Sequence, residues 1–356
     1  MKAILFGLIL TASSVVAQNG KSVFFIGHSL VNHNMPRMVD GIAKSKTFVN
    51  HTWERQLNNG ANLKWNWEQS AGSEGVDGRV EIPNSNYEVL VITEAVPLDN
   101  HLQWSQTYSF SYNWHELAVS ANSNVQTYMY ETWHCINSGL PAGCSYDDGD
   151  GVLWRTRLDT YKEKWEIIVD SVNVHQNGND MLLIPGGQAM ARLNDSIVAG
   201  AVPGITDIRS FFDDDIHMND TGNYFIACVQ FATIYGVSPV GANAHLQNEW
   251  SGDYEIPYGN TALIEKLQEI AWEEVVNNPE TGVGLPTGFE TMPTVGELMK
   301  KTGKYNYTFG TNTSFEVFNI TGKLQTKETA NSLSVVDFPS GIYFVKFGNQ
   351  VQRIIK

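Results

Sequence analysis

A nucleophilic hydroxyl needs a base within hydrogen-bond reach, and the base needs a carboxylate to orient it. Three residues of this chain have the types and settings for that chemistry. Ser29 lies in SVFFIGHSLVN (22–32), after the apolar run 23–26 and Gly27, and ahead of MPRMVDGIA (35–43), whose apolar residues recur at helical spacing. A strand, a glycine-containing turn with a serine, and a helix present a hydroxyl at the carboxyl edge of a sheet, where helix amides favour a developing anion. The same stretch also reads as a buried first strand and a polar turn with no chemistry at all. Among nine histidines, only His217 has an aspartate three residues before it, Asp214. In a tight loop, Asp-x-x-His folds the carboxylate onto one imidazole nitrogen and leaves the other for Ser29. Asp213 and Asp215 read as solvated neighbours.

The elements that must position these residues follow from periodicity. Strands are expected at 23–26, 62–67, 87–93, 125–131 and 181–184, with helices at 111–122, 154–174, 188–199 and 222–235. The second of these, NLKWNW, alternates polar and apolar residues like a half-buried edge strand. Strands alternating with helices imply right-handed βαβ units. The fold class expected is therefore α/β, a flavodoxin-like three-layer α/β/α sandwich with a parallel five-stranded sheet. In such a sheet the 214–217 loop, after the last strand, lies at the same edge as Ser29.

The remaining chain bounds the possibilities. MKAILFGLILTASSVVA (1–17) has a basic start, a short apolar run and small residues before Gln18, the pattern of a secretory signal peptide and too short for a membrane span. No other stretch is long and apolar enough to cross a bilayer. The net charge of −15 argues against nucleic acid or an anionic membrane surface as partner. Cys135 and Cys144 share a Gly-, Ser- and Asp-rich loop, where export makes a disulfide reasonable, and Cys228 reads as a core thiol. Glu131 and His134 have a helical metal-pair spacing but end a strand, which favours a structural role. No metal or cofactor is expected. Most tryptophans read as core, while Trp104 and Trp133, on loops, are available to stack on sugar rings. Residues 240–278 read as a peripheral extension ending in a helix at 261–276. PETGVGLP (279–286) breaks the pattern, and strand-like runs at 305–310, 314–320, 332–337, 342–348 and 350–355 make a small all-β unit. The expected organisation is a signal peptide (1–17), a hydrolase domain (18–278), a linker (279–303) and a β-rich domain (304–356).

Gly27-His28-Ser29-Leu30 and Asp214-Asp215-Ile216-His217, followed by Asn219 to Tyr224, resemble the first and last blocks of the SGNH (GDSL-type) hydrolases, in order and separation, over roughly residues 20–240. The resemblance implies an esterase in which Ser29 attacks, His217 takes its proton and Asp214 orients His217. It implies an oxyanion hole from the Ser29 amide and a glycine of the second block, for which Ser70 to Gly75 is the matching loop, Gly75 ahead of Gly72. Two positions depart from the family. His28 stands where it has Asp, and Ile92-Thr93-Glu94-Ala95 stands where it has Gly-x-Asn-Asp. An ionised Glu94 cannot donate a hydrogen bond. Either Glu94 is protonated, Thr93 or another amide substitutes, or this corner serves the substrate, with Glu94 and His28 as its contacts.

The end of the chain is similar to the type IX secretion sorting domain of Bacteroidetes bacteria, through residues 315–323, Ser340-Gly341-Ile342-Tyr343 with Lys346, and the terminal Arg353-Ile354-Ile355-Lys356. That similarity implies the type IX machinery as a partner and a secreted or surface-attached product. By analogy with glycan-degrading proteins exported this way, the expected activity is hydrolysis of O-acetyl esters on a polysaccharide. A sulfate-ester hydrolase on a glycan, and a non-catalytic glycan-binding surface protein, are the alternatives.

Overall fold

The computed structural model describes residues 18–144, 151–175, 178–284, 299–303, 305–319, 324–339, 342–347 and 350–356. The expected signal peptide, most of the expected linker and the Ser340-Gly341 pair lie outside the described residues. The chain divides into two compact units, 1–283 and 284–356.

The first unit is built on a six-stranded sheet. Its strands are β1 (Ser22–Gly27), β2 (Thr52–Leu57), β3 (Glu74–Gly75), β4 (Val89–Ile92), β5 (Gln126–Glu131) and β6 (Leu182–Pro185), in the order β3-β2-β1-β4-β5-β6. All neighbours run parallel except β3, a two-residue antiparallel edge on β2. The order reverses between β1 and β4, and in open α/β sheets the crevice beyond the strand ends at such a point is where ligands bind.

Helices cover both faces. Helices α1 (Asn34–Ser45), α7 (Gly186–Val198), α8 (Asp220–Tyr235) and α9 (Thr261–Asn277) share one core with the sheet, and α3 (Gly78–Asn84), α5 (Thr107–Ala121) and most of α6 (Trp154–Asn173) share the other. Helix α8 is apolar on every side because it is buried on every side, and Asn219 caps it by accepting from the Gly222 amide.

Three sequence expectations need correction. Residues 62–67 form a helix, α2 (Leu63–Glu68), and not a strand. The Asn62 side chain accepts from the Trp65 amide as an N-cap, and Leu63 and Asn66 turn inward at helical spacing. The second strand is instead TWERQL, β2. Only its last two residues are fully buried, so its polar positions hid it. Residues 240–278 are not peripheral, since α9 sets Leu263, Leu267, Ile270 and Val275 into the main core. The start of the expected linker is also packed, with Glu280 and Thr281 buried.

The second unit is an antiparallel sheet of β7 (Lys300–Gly303), β8 (Asn306–Asn319), β9 (Leu324–Ser334), β10 (Ile342–Phe347) and β11 (Gln350–Ile355). Its core includes Phe309, Phe315, Val317, Val345 and Phe347. The two runs expected at 305–310 and 314–320 are one strand with a register shift between Thr308 and Thr313. Most of β9 was illegible as a strand because LQTKETANSLS is largely exposed and carries no apolar alternation.

Candidate active site

The turn after β1 carries Ser29. Gly27 closes the strand so tightly that an added Cβ would collide with the Val31 and Thr93 side chains. The Val31 and Asn32 amides both donate to the His28 carbonyl, curling the chain so that Ser29 stands partly exposed at the sheet edge.

The Asp214–His217 loop folds as its spacing predicts. Asp214 Oδ1 accepts from the Ile216 amide (2.8 Å) and the His217 amide (2.6 Å), while Oδ2 lies 2.7 Å from His217 Nδ1. A carboxylate can only accept, so Nδ1 carries the proton and Nε2 is the acceptor. His217 Nε2 lies 2.9 Å from Ser29 Oγ, closing a gap of 188 residues in sequence. Partial burial works against ionising Asp214, but the hydrogen bonds from the His217 ring and from the two amides outweigh it and hold the carboxyl below its usual range.

Buried groups brace this loop from beneath. Trp133 is wholly buried and its Nε1–H donates to the Ile216 carbonyl at 2.7 Å, and the Ile136 amide donates to the Asp215 carbonyl at 2.7 Å. The Cys135–Cys144 disulfide adjoins this brace. Trp133 is therefore a support and offers no ring face to a sugar, whereas Trp104, at the end of α4 (Leu98–Trp104), is 73% exposed and Trp65 on α2 is 54% exposed.

Ser29 and His217 open onto a cavity of about 480 Å³, lined also by His28, Leu30, Asn59, Gly60, Ala95, Val96 and Ile216. It sits at the ends of β1 and β4, where the strand order reverses. The Ser29 and Gly60 amides have no hydrogen-bond partner among the described residues, so both are available to a ligand. Gly75 is not on this wall. It belongs to β3, paired with Gln56 on the far side of β2, and its positive φ and its contact with the Arg55 carbonyl explain the glycine. Gly72 is not on the wall either. The glycine that reaches the cavity is Gly60, the first after β2. A second strand at 62–67 would put the next glycine loop at 70–75, whereas β2 ends at Leu57 and places Gly60 there.

The two other expected ligand contacts also move. Glu94 is wholly buried and does not line the cavity. Its Oε1 accepts from the Leu63 amide (3.1 Å) and the Ala95 amide (2.7 Å), and its Oε2 accepts from Thr107 Oγ1 (2.7 Å). Burial pushes its carboxyl up to about 7, against those three donors. Thr93 is buried too, and its hydroxyl donates to the Tyr130 carbonyl. His28 borders the cavity, but both ring nitrogens face protein groups, Nδ1 accepting from the Leu30 amide and Nε2 donating to the Glu94 carbonyl. Burial pushes this imidazole down to about 4, so it is neutral. Cys228 is a free, buried thiol. Glu131 and His134 are buried at the end of β5 and just beyond it, and no cluster of His, Cys, Asp or Glu among the described residues could hold a metal ion.

No family model matches the chain, and no curated protein matches it. Among solved structures, it is similar to one from Parabacteroides merdae described, as a provisional assignment, as a GDSL-like lipase. The identity is 13% and the TM-score 0.40, over 62% of this chain and 98% of that one. A likeness at this level carries no weight for activity.

Proposed function

We propose that the first unit is a serine ester hydrolase of SGNH type acting on O-acetyl groups of a polysaccharide. The carrying observation is the unbroken chain Asp214 Oδ2–His217–Ser29 Oγ at 2.7 and 2.9 Å, opening on a cavity at the sheet edge. In this reading Ser29 Oγ attacks the acyl carbonyl as its proton passes to His217 Nε2. The imidazolium so formed is stabilised by Asp214. The Ser29 and Gly60 amides hold the negative oxygen of the tetrahedral intermediate. His217 then gives the proton to the departing sugar hydroxyl, leaving an acyl-serine. Water, deprotonated by the same imidazole, attacks the acyl-serine, and the imidazolium returns that proton to Ser29 Oγ as the acyl–oxygen bond breaks, releasing acetic acid, which ionises to acetate, and regenerating Ser29 and neutral His217. Every step is proton transfer and acyl transfer by groups of this chain.

The test compares acetate release from acetylated glycans and from a chromogenic acetate ester by the protein and by Ser29→Ala. The expected result is a fall of at least about 10³-fold in kcat for the variant. Equal release by both proteins would overturn the reading.

The same reading extends to export. Residues 1–17 are taken as the signal peptide and the second unit as the signal for the type IX route, giving a secreted or surface-attached enzyme. Mature protein from the culture medium should begin at Gln18, and deleting residues 304–356 should trap the protein inside the cell envelope. Secretion that survives that deletion would refute the assignment.

A further inference from the structure

Glu94 is an acidic residue buried next to Ala95 of the cavity wall, and the proposed mechanism makes no use of it. Its backbone and its side chain hold different parts of the site. The Glu94 carbonyl accepts from His28 Nε2 at 3.1 Å, one residue before the nucleophile. Oε1 accepts two amides at once, that of Leu63, three residues beyond Gly60, and that of Ala95, which lines the cavity. Oε2 is held by Thr107 Oγ1 at the start of α5, at 2.7 Å. The stretch from Asn58 to Asn66 is tied to the β1 turn again, the Asn58 amide and the Asn66 side chain both donating to the Gly27 carbonyl.

We propose that Glu94 is a positioning residue for the oxyanion hole, acting through the geometry of Oε1 and not through its charge. One oxygen that accepts from Leu63 and Ala95 fixes the loop after β2 against the loop after β4, and the Glu94 carbonyl fixes both against the Ser29 turn. The amides of Ser29 and Gly60 are thereby held at a constant separation before any ester arrives, as transition-state stabilisation requires. This rests on the serine-hydrolase reading.

The arrangement is held by hydrogen bonds and not by an ion pair. Among the described residues no cation pairs with Glu94. The titratable groups around this corner are His28, kept neutral by burial, His101 on α4, also lowered by burial, and His217, and both His101 and His217 act on His28. Burial raises the Glu94 carboxyl toward neutrality as well. A protonated Glu94 keeps Oε1 for both amides and turns its hydroxyl toward Thr107 Oγ1, which can accept. Gln at this position does the same with its Nε2. Asp keeps the charge and loses the reach.

The experiment measures kcat, KM and the pH profile on a chromogenic acetate ester for the protein, Glu94→Gln, Glu94→Asp, Glu94→Ala and Ser29→Ala, with Tm recorded for each. Glu94→Gln is expected within about threefold of the parent kcat with an unchanged pH profile. Glu94→Asp and Glu94→Ala are expected to lose about 30- to 100-fold in kcat with KM within about twofold, because an interaction realised in the transition state has been lost. Folded Glu94→Asp at parent activity, or Glu94→Gln as poor as Glu94→Asp, would overturn the proposal while Ser29→Ala stays inactive. Turnover that survives in Ser29→Ala would instead refute the hydrolase reading beneath it.

Discussion

Replacing Trp133 by Phe isolates what holds the histidine loop in place. The indole Nε1–H donates to the Ile216 carbonyl at 2.7 Å, and both residues are buried, Trp133 at 0% and Ile216 at 3% exposure. Phe fills most of the same space but cannot donate. The Ile216 carbonyl is left buried and unpaired, which costs about 1–3 kcal/mol. The smaller ring leaves a void beside Phe212 and adds about 1 kcal/mol more. For a unit of this size, those costs together correspond to a fall in Tm of roughly 4–12 °C. The larger consequence is for turnover, because Ile216 lies between Asp214 and His217. Freed of its tie, the loop no longer presents Nε2 to Ser29 at one distance, and a displacement of about 1 Å costs up to about 10²-fold. The assay is kcat and KM on a small acetate ester at a temperature where the variant is fully folded by circular dichroism. We expect kcat to fall about 10- to 100-fold with KM nearly unchanged. A variant that melts earlier yet turns over at the parent rate would refute the reasoning, since the tie would then serve stability alone.

Other outcomes follow from the same structure. Gly60→Ala puts a side chain at φ +70° with open space around it, so it should cost only about 1–2 kcal/mol of stability while lowering kcat through the repositioned amide. Gly75→Ala would collide with the Arg55 carbonyl and should damage stability more than it damages kcat measured on the folded fraction. The reverse pattern would restore Gly75 to the oxyanion hole. Reducing the Cys135–Cys144 disulfide, which closes a separation of 9 residues, should cost about 2.5 kcal/mol, read as a lower Tm under reductant. An unchanged Tm would mean that the brace stands without it. Glu131 gives a pH signature. Burial pushes its carboxyl up to about 8, whereas the unfolded chain releases that proton near 4.3. The folded state therefore binds the extra proton, and stability from this group falls as pH rises from about 4.3 to 8. Glu131→Gln should remove that slope, so its Tm advantage over the parent should widen between pH 5 and pH 8. A constant difference would sink the explanation.

Local chemistry was written in the chain itself. The Ser29 turn and the Asp214–His217 fold-back each need only neighbours within about four residues, so spacing and residue type sufficed to name them. The apolar strands β1, β4, β5 and β6 were legible because both faces of each are covered. What the sequence withheld depends on partners distant along the chain. β2 carries an exposed Glu54 and a half-buried Arg55 in succession, so only its pairing with β1 identifies it, and Gly60 could be recognised only once β2 was placed. Glu94 is the sharpest case. A carboxylate after a strand has the same letters whether it faces a cavity or the core. Three donors, from Leu63, Ala95 and Thr107, turn it inward, and two of them come from segments that meet it only in the folded sheet. Sequence determined which groups can react. Tertiary structure decided which of them face the cavity, because hydrogen-bond satisfaction and burial are settled among residues that the chain alone does not bring together.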